Sequence, residues 1–208
     1  MRNLKTILGS LVIAFLVTSC SNNDTTIEKP LVKPSETKTI ENFHAPAGGG
    51  GGNYTGDFAK FSFKEGKKVD GDNWDIAFRA TEIIVNGGVN VENINEEPNR
   101  TGKAAVALVK NTLKDLKEAP ADSEFKQDAK ENLAITKGSN NGWYLYNFKD
   151  HVIEPKAGVI LVVKTIEGSY AKVEIESYYK DKKINQANGR YFTFKYVYNP
   201  NPGDKNLQ

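Results

Sequence analysis

Every second residue from Phe192 to Tyr198 is aromatic: Phe192, Phe194, Tyr196 and Tyr198 alternate with Thr193, Lys195 and Val197. A period of two puts all four rings on one face of an extended strand, whereas a helix would scatter them around its axis. The same texture recurs upstream. Ala171, Val173, Ile175, Ser177 and Tyr179 share one face of a second candidate strand, with Tyr170, Lys172, Glu174, Glu176 and Tyr178 opposite. Residues 159–163 are apolar without interruption, as for a strand buried on both faces, and Glu167-Gly168 supplies a turn. Nearer the N-terminus, Phe61 and Phe63 alternate with Ser62 and Lys64, and Trp74, Ile76 and Phe78 with Asp75, Ala77 and Arg79. Asn86-Gly87-Gly88 follows the β-branched stretch 82–85 and reads as a hairpin turn returning through residues 89–91. Residues 104–109 and 143–146 add two more candidate strands. One segment differs. Phe125, Ala129 and Leu133 fall at i, i+4 and i+8 behind a cap at Asp122 or Ser123, which predicts a helix over residues 120–133. The chain therefore reads as mainly antiparallel β with about one helix.

The N-terminus has another design. Arg2 and Lys5 precede an apolar stretch over residues 7–17, too short for the roughly 20 apolar residues of a membrane span. This is the layout of a secretory signal. It ends in Val17-Thr18-Ser19-Cys20, which resembles a bacterial lipobox, and Cys20 is the only cysteine in the chain. Residues 1–20 are thus expected to be a lipoprotein signal peptide, with Cys20 as the lipid attachment site and first mature residue. Residues 21–53 are rich in Ser, Thr, Asn, Lys, Glu and Pro and end in five consecutive glycines, Gly48 to Gly52. A phosphate-binding loop would need Gly-Lys-Ser/Thr after such a run, and Asn53-Tyr54-Thr55 stands there instead. The stretch is expected to be a flexible tether leading into a domain over residues 54–208.

Composition narrows the function. One cysteine allows neither an intramolecular disulfide nor a cysteine-based zinc or iron–sulfur site. A hydrophobic fraction of 38% excludes a polytopic membrane protein. Removing Arg2 and Lys5 from the 28 basic residues leaves 26, equal to the 26 acidic ones. The mature chain is then formally neutral, with no basic field for nucleic acid, and the acyl chains would hold it on the membrane. No Gly-x-Ser-x-Gly elbow or metalloenzyme histidine motif is present, so catalysis is not expected.

Seven segments, in order, carry a family resemblance: Phe61-Ser62-Phe63, Trp74-Asp75-Ile76-Ala77-Phe78-Arg79, Asn86-Gly87-Gly88, Gly142-Trp143-Tyr144, Tyr170-Ala171-Lys172-Val173, Ser177-Tyr178-Tyr179 and Thr193-Phe194-Lys195-Tyr196-Val197-Tyr198. Together they resemble the HmuY family of Bacteroidetes surface lipoproteins, over about residues 58–200. The resemblance implies an antiparallel β domain of fist-and-thumb shape, lipid-anchored in the outer membrane at the cell surface. It also implies capture of b-type haem as a ligand and its delivery to a TonB-dependent receptor. The alternative is a non-enzymatic surface lipoprotein that keeps the fold and binds another tetrapyrrole or an unrelated ligand.

Haem asks for an apolar slot, one or two axial ligands and basic partners for its propionates. The ligand supply is narrow. Met1 is the only methionine and leaves with the signal, and the two histidines are His44, in the tether, and His151. In the family, the segment after the matching Gly-Trp carries an axial ligand, and His151 falls near that position. His151 is therefore the expected metal ligand, or else a turn histidine satisfied by solvent or a backbone carbonyl. Tyr144 and Tyr146 are the other cofactor-binding candidates, as oxygen ligands to ferric iron or as packing residues. The family's second ligand comes from a longer segment upstream. Here that span, residues 111–141, has neither His nor Met. Lys156, Lys164 and Lys172 are the candidate propionate partners.

Overall fold

The computed structural model describes residues 32–208. Cys20 and the signal peptide lie outside the described residues. Among the described residues, thirteen strands run in chain order. They are β1 (Glu36–His44), β2 (Gly48–Gly50), β3 (Asn53–Thr55), β4 (Ala59–Ser62), β5 (Lys67–Val69), β6 (Ile76–Arg79) and β7 (Glu82–Val85). After these come β8 (Ala105–Lys110), β9 (Tyr144–Asn147), β10 (Val152–Pro155), β11 (Val159–Lys164), β12 (Tyr170–Tyr179) and β13 (Gly189–Asn199). A five-stranded antiparallel sheet has the order β1-β13-β12-β11-β8, and a four-stranded one the order β5-β4-β6-β7. Two hairpins, β2-β3 and β9-β10, complete the set.

The aromatic alternation of β13 does what its period demands. Phe192, Phe194, Tyr196 and Tyr198 all point into one core and meet Phe61, Phe63, Ile76 and Phe78 of the other sheet. Ring centroids of Phe61 and Phe194 lie 5.3 Å apart at 84°, and those of Phe63 and Tyr196 5.3 Å apart at 77°. Such edge-to-face pairs add about 0.5–1.5 kcal/mol each beyond the area they bury. The two sheets thus pack face to face. Strand β11 is buried on both sides, as its unbroken apolar run requires. Leu161 and Val163 enter the core between the sheets, while Ile160 and Val162 lie under Leu113, Leu116 and Leu207.

Four expectations change. The first concerns the tether. Residues 36–44 form strand β1 on the edge of the five-stranded sheet, pairing from Glu36↔Tyr198 to His44↔Tyr191. Phe43 is buried against Phe61, Phe78 and Phe194. The glycine run is not a spacer either. Gly48–Gly50 pairs with Asn53–Thr55, and Gly51 and Gly52 turn the chain with φ of 63° and 91°. Two successive positive φ values are what a two-residue hairpin turn needs, and glycine takes them without strain. A flexible tether over 21–53 is therefore wrong for its C-terminal part.

The second is the helix over residues 120–133. Only a 3-10 turn, Asp122–Glu124, forms there. The backbone of Lys126 instead exchanges two 2.9 Å hydrogen bonds with Val106 on the free edge of β8. The Asp128 carboxylate accepts from the backbone N–H groups of Val85 and Ala134. A sheet edge and a buried carboxylate outweigh the local helical pattern. The third is the turn at Asn86. Its side chain binds Trp74 and Asp72 carbonyls and the N–H groups of Thr101 and Gly102, so it locks loops together and no strand returns through 89–91. The fourth is the facing of β12. Irregularities on either side of Ser177 bring Tyr178 and Tyr179 into the core together.

Candidate functional site

Just before strand β9 lies Trp143, whose buried indole donates from Nε1 to the Thr81 carbonyl at 3.0 Å. This contact pins the β9-β10 hairpin to the turn between β6 and β7. The Tyr179 hydroxyl accepts from the Ile153 N–H at 2.8 Å and ties β10 to the five-stranded sheet. Within the hairpin, Tyr146 pairs with Ile153 and Asn147 with Val152, leaving Phe148, Lys149, Asp150 and His151 as the turn. Asn147 shapes that turn from its own side chain, since its Oδ1 accepts from the N–H groups of Lys149 and Asp150. The turn closes through His151 at φ 54°, in the left-handed region. Non-glycine residues are uncommon there, and histidine is among the few enriched.

These constraints bring two of the three expected residues to one cavity of about 580 Å³. Tyr54, Lys137, Tyr144, Tyr146, Phe148 and Ile153 supply its main walls, and the glycine tip of β2-β3 closes one side. The volume falls within the roughly 300–1,000 Å³ usual for small-molecule sites. Tyr144 is a buried wall, and burial raises its pKa above the ordinary tyrosine value, which keeps the phenol protonated. Tyr146 is half-buried and Phe148 is 77% exposed, an unusual position for a phenylalanine. Their rings meet edge-on at 4.8 Å. His151 is exposed and is not one of the cavity's lining residues. It touches Tyr146 instead, with its Nδ1 2.6 Å from the Tyr146 hydroxyl.

The remaining candidates lie off the cavity wall. His44 pairs with Tyr191 and stacks on its ring at 4.3 Å and 11°. Burial, then Lys68 and Arg190, lowers its pKa from the ordinary histidine value. Lys156 donates to the Asn140 carbonyl, and Lys164 lies beside Asp122 and Tyr170. Lys172 is not on a solvated face. It is buried, donates to the Leu116 carbonyl at 2.7 Å, and has its pKa lowered by that burial and by Lys117. The basic group at the cavity is Lys137, 3.5 Å from the Glu82 carboxylate. Sequence reasoning missed it, along with Tyr54 and Phe148. An aromatic inside the polar turn Asn147-Phe148-Lys149-Asp150 was the one available signal.

The chemistry of this wall suits a flat, largely apolar group with an anionic edge. Four aromatic rings offer stacking surface and Lys137 offers a cation. The Tyr146 hydroxyl is an oxygen donor on that wall, in contact with the His151 imidazole. Among the described residues no cluster of three or more His, Cys, Asp or Glu could hold a bare metal ion. No helix among them is long and apolar enough to cross a membrane.

A family model described as HmuY protein matches residues 54–196. No curated protein matches the chain. Among solved structures, the apo HmuY analog of Tannerella forsythia superposes with a TM-score of 0.50 at 14% identity, covering 82% of this chain and 99% of that one. A lipoprotein candidate from Bacteroides fragilis gives 0.47 at 14% identity, covering 81% and 92%. A candidate HmuY-like heme-binding protein from Bacteroides vulgatus gives 0.45 at 15% identity, covering 80% and 93%. At this identity the first similarity speaks for the fold alone.

Proposed function

This chain belongs to the HmuY family, and from that premise we propose that it is a non-enzymatic haem-binding lipoprotein of the outer membrane. On this reading Cys20 carries the lipid anchor, the domain faces the cell exterior, and captured haem passes to a TonB-dependent receptor. The observation that carries the proposal is the aromatic cavity beside the β9-β10 hairpin. Haem fits the residues present: rings for the macrocycle, Lys137 for a propionate, and the Tyr146–His151 pair for the axial ligand. Bound there, haem would supply a tight optical label and a nutrient iron, and no reaction at the protein. The protein's part would be to hold the group with its aromatic wall and Lys137.

A site with one ligand-bearing pair differs from a site clamped from both faces. Among the described residues, the cavity walls contain neither a histidine nor a methionine. Binding therefore rests largely on apolar contact, reinforced from one direction. The test is a hemin titration of the full chain followed by absorbance. A saturable red shift of the Soret band is expected, and a spectrum identical to free hemin sinks the proposal. The chain must retain β1, because cutting at residue 54 would strip Phe43 from the core. A Cys20→Ser variant should move from the membrane to the soluble fraction, and an unchanged distribution would end the lipid-anchor reading.

A further inference from the structure

Which atom meets the iron follows from which of two touching side chains reaches the cavity wall. Tyr146 lines the cavity and His151 does not, yet the two side chains touch at 2.6 Å through Oη and Nδ1. Of the two groups in contact, only the phenol belongs to a wall residue. The register enforces this arrangement, since Tyr146 is paired with Ile153, another wall residue, while His151 lies in the turn beyond. The ring of Phe148 packs edge-on against Tyr146 and limits its swing. His151 is held from the other side by a turn that forces φ to 54°. Strained residues of this kind cost about 1–3 kcal/mol and tend to mark functional positions.

We infer that Tyr146 Oη is the axial ligand and that His151 is a positioning residue that receives the phenolic proton. The inference rests on the haem reading above. Binding forms an iron–oxygen bond with an electron pair from Tyr146 and breaks the O–H bond. The proton moves to His151 Nδ1, and a water on the ferric iron leaves. Nothing is oxidised or reduced. The pairing suits ferric rather than ferrous iron, since an anionic oxygen prefers the more highly charged metal. It also explains why the ligand tyrosine is Tyr146 and not Tyr144. Tyr144 lines the same cavity, but no imidazole contacts its hydroxyl.

The test uses the full chain, Tyr146→Phe and His151→Gly, each titrated with hemin and with metal-free protoporphyrin IX. Phenylalanine keeps the wall and glycine accepts the left-handed turn, so both variants should keep the fold, checked by thermal melting. Wild type should show a high-spin ferric spectrum with a phenolate-to-iron charge-transfer band. Tyr146→Phe should lose that band and most of its preference for hemin over the metal-free ring. His151→Gly should keep a weakened band, with hemin affinity lower by about 10–100-fold, as expected for loss of a partner behind a ligand. Metal-free porphyrin should bind all three alike. A low-spin imidazole spectrum that survives Tyr146→Phe and vanishes in His151→Gly would overturn the assignment and make the histidine the ligand. Failure of both porphyrins to bind wild type would overturn the haem reading itself.

Discussion

Asp75 is a buried carboxylate that joins the two sheets, and its replacement by Asn should remove a specific part of the protein's pH dependence. Its Oδ2 accepts from the Phe63 N–H at 2.8 Å, just past β4, and its Oδ1 from the Ile166 N–H at 2.9 Å, just past β11. It is 2% exposed. Loss of water raises its pKa from 3.8 to about 6, against the pull of those two hydrogen bonds; Glu167 adds to the rise and Lys64 opposes it. Below pH 3.8 the folded and unfolded chains both hold the proton. As pH climbs toward 6, the unfolded chain releases it first, so stability falls; above 6 the loss is complete. Each tenfold difference in proton affinity between the two states is worth about 1.4 kcal/mol, so the loss between about pH 4 and pH 7 comes to about 2–3 kcal/mol. In Asp75→Asn the amide oxygen satisfies one N–H and the amide nitrogen faces the other, a penalty of about 1–3 kcal/mol that does not titrate. Guanidinium unfolding of both proteins at several values between about pH 4 and pH 7 isolates the effect, because every other carboxylate cancels in the difference. Wild type should exceed the variant most at the acid end, and the gap should close by about 2–3 kcal/mol at the neutral end. Parallel curves would refute the reasoning. A gap that widens with pH would show that the two N–H groups outweigh burial.

Three further outcomes are expected. Gly49→Ala places a Cβ 2.3 Å from the Asn53 carbonyl at φ +68°, whereas a Cβ on Gly50 meets nothing within 4 Å. Gly49→Ala should therefore cost about 1–3 kcal/mol in thermal unfolding and weaken hemin binding through the displaced hairpin, while Gly50→Ala stays near wild type. Arg100→Met leaves the buried Glu97 and Asp128 carboxylates without their shared cation, and urea unfolding should show a loss of about 3–5 kcal/mol. Lys137→Gln should lower hemin affinity by no more than about 5-fold, an effect that shrinks as salt rises, because the side chain is 42% exposed.

How much of this was legible in the sequence depended on how many faces each segment buries. Strands β11, β12 and β13 are central in their sheet, so their composition had to alternate or run apolar, and the period named them. Strand β1 is an edge. Of Glu36–His44 only Phe43 is fully buried, and the rest reads as linker because solvent permits linker-like residues. The glycine run failed for another reason. A positive φ is a property of the backbone, and five glycines are compatible with both a tight hairpin and a loose chain. The site was half legible. Aromatic and histidine types near Gly142-Trp143 were visible, and Tyr144, Tyr146 and His151 do gather at one hairpin. The division of labour inferred for Tyr146 and His151 was not, because it turns on which of them lines the cavity. Tyr146 and His151 are five residues apart, yet the turn at Asn147 sets one at the wall and leaves the other off it. Lys137 reaches the same cavity from a separate loop. A one-dimensional pattern can nominate ligands, but only the path of the chain decides which of them stands in front.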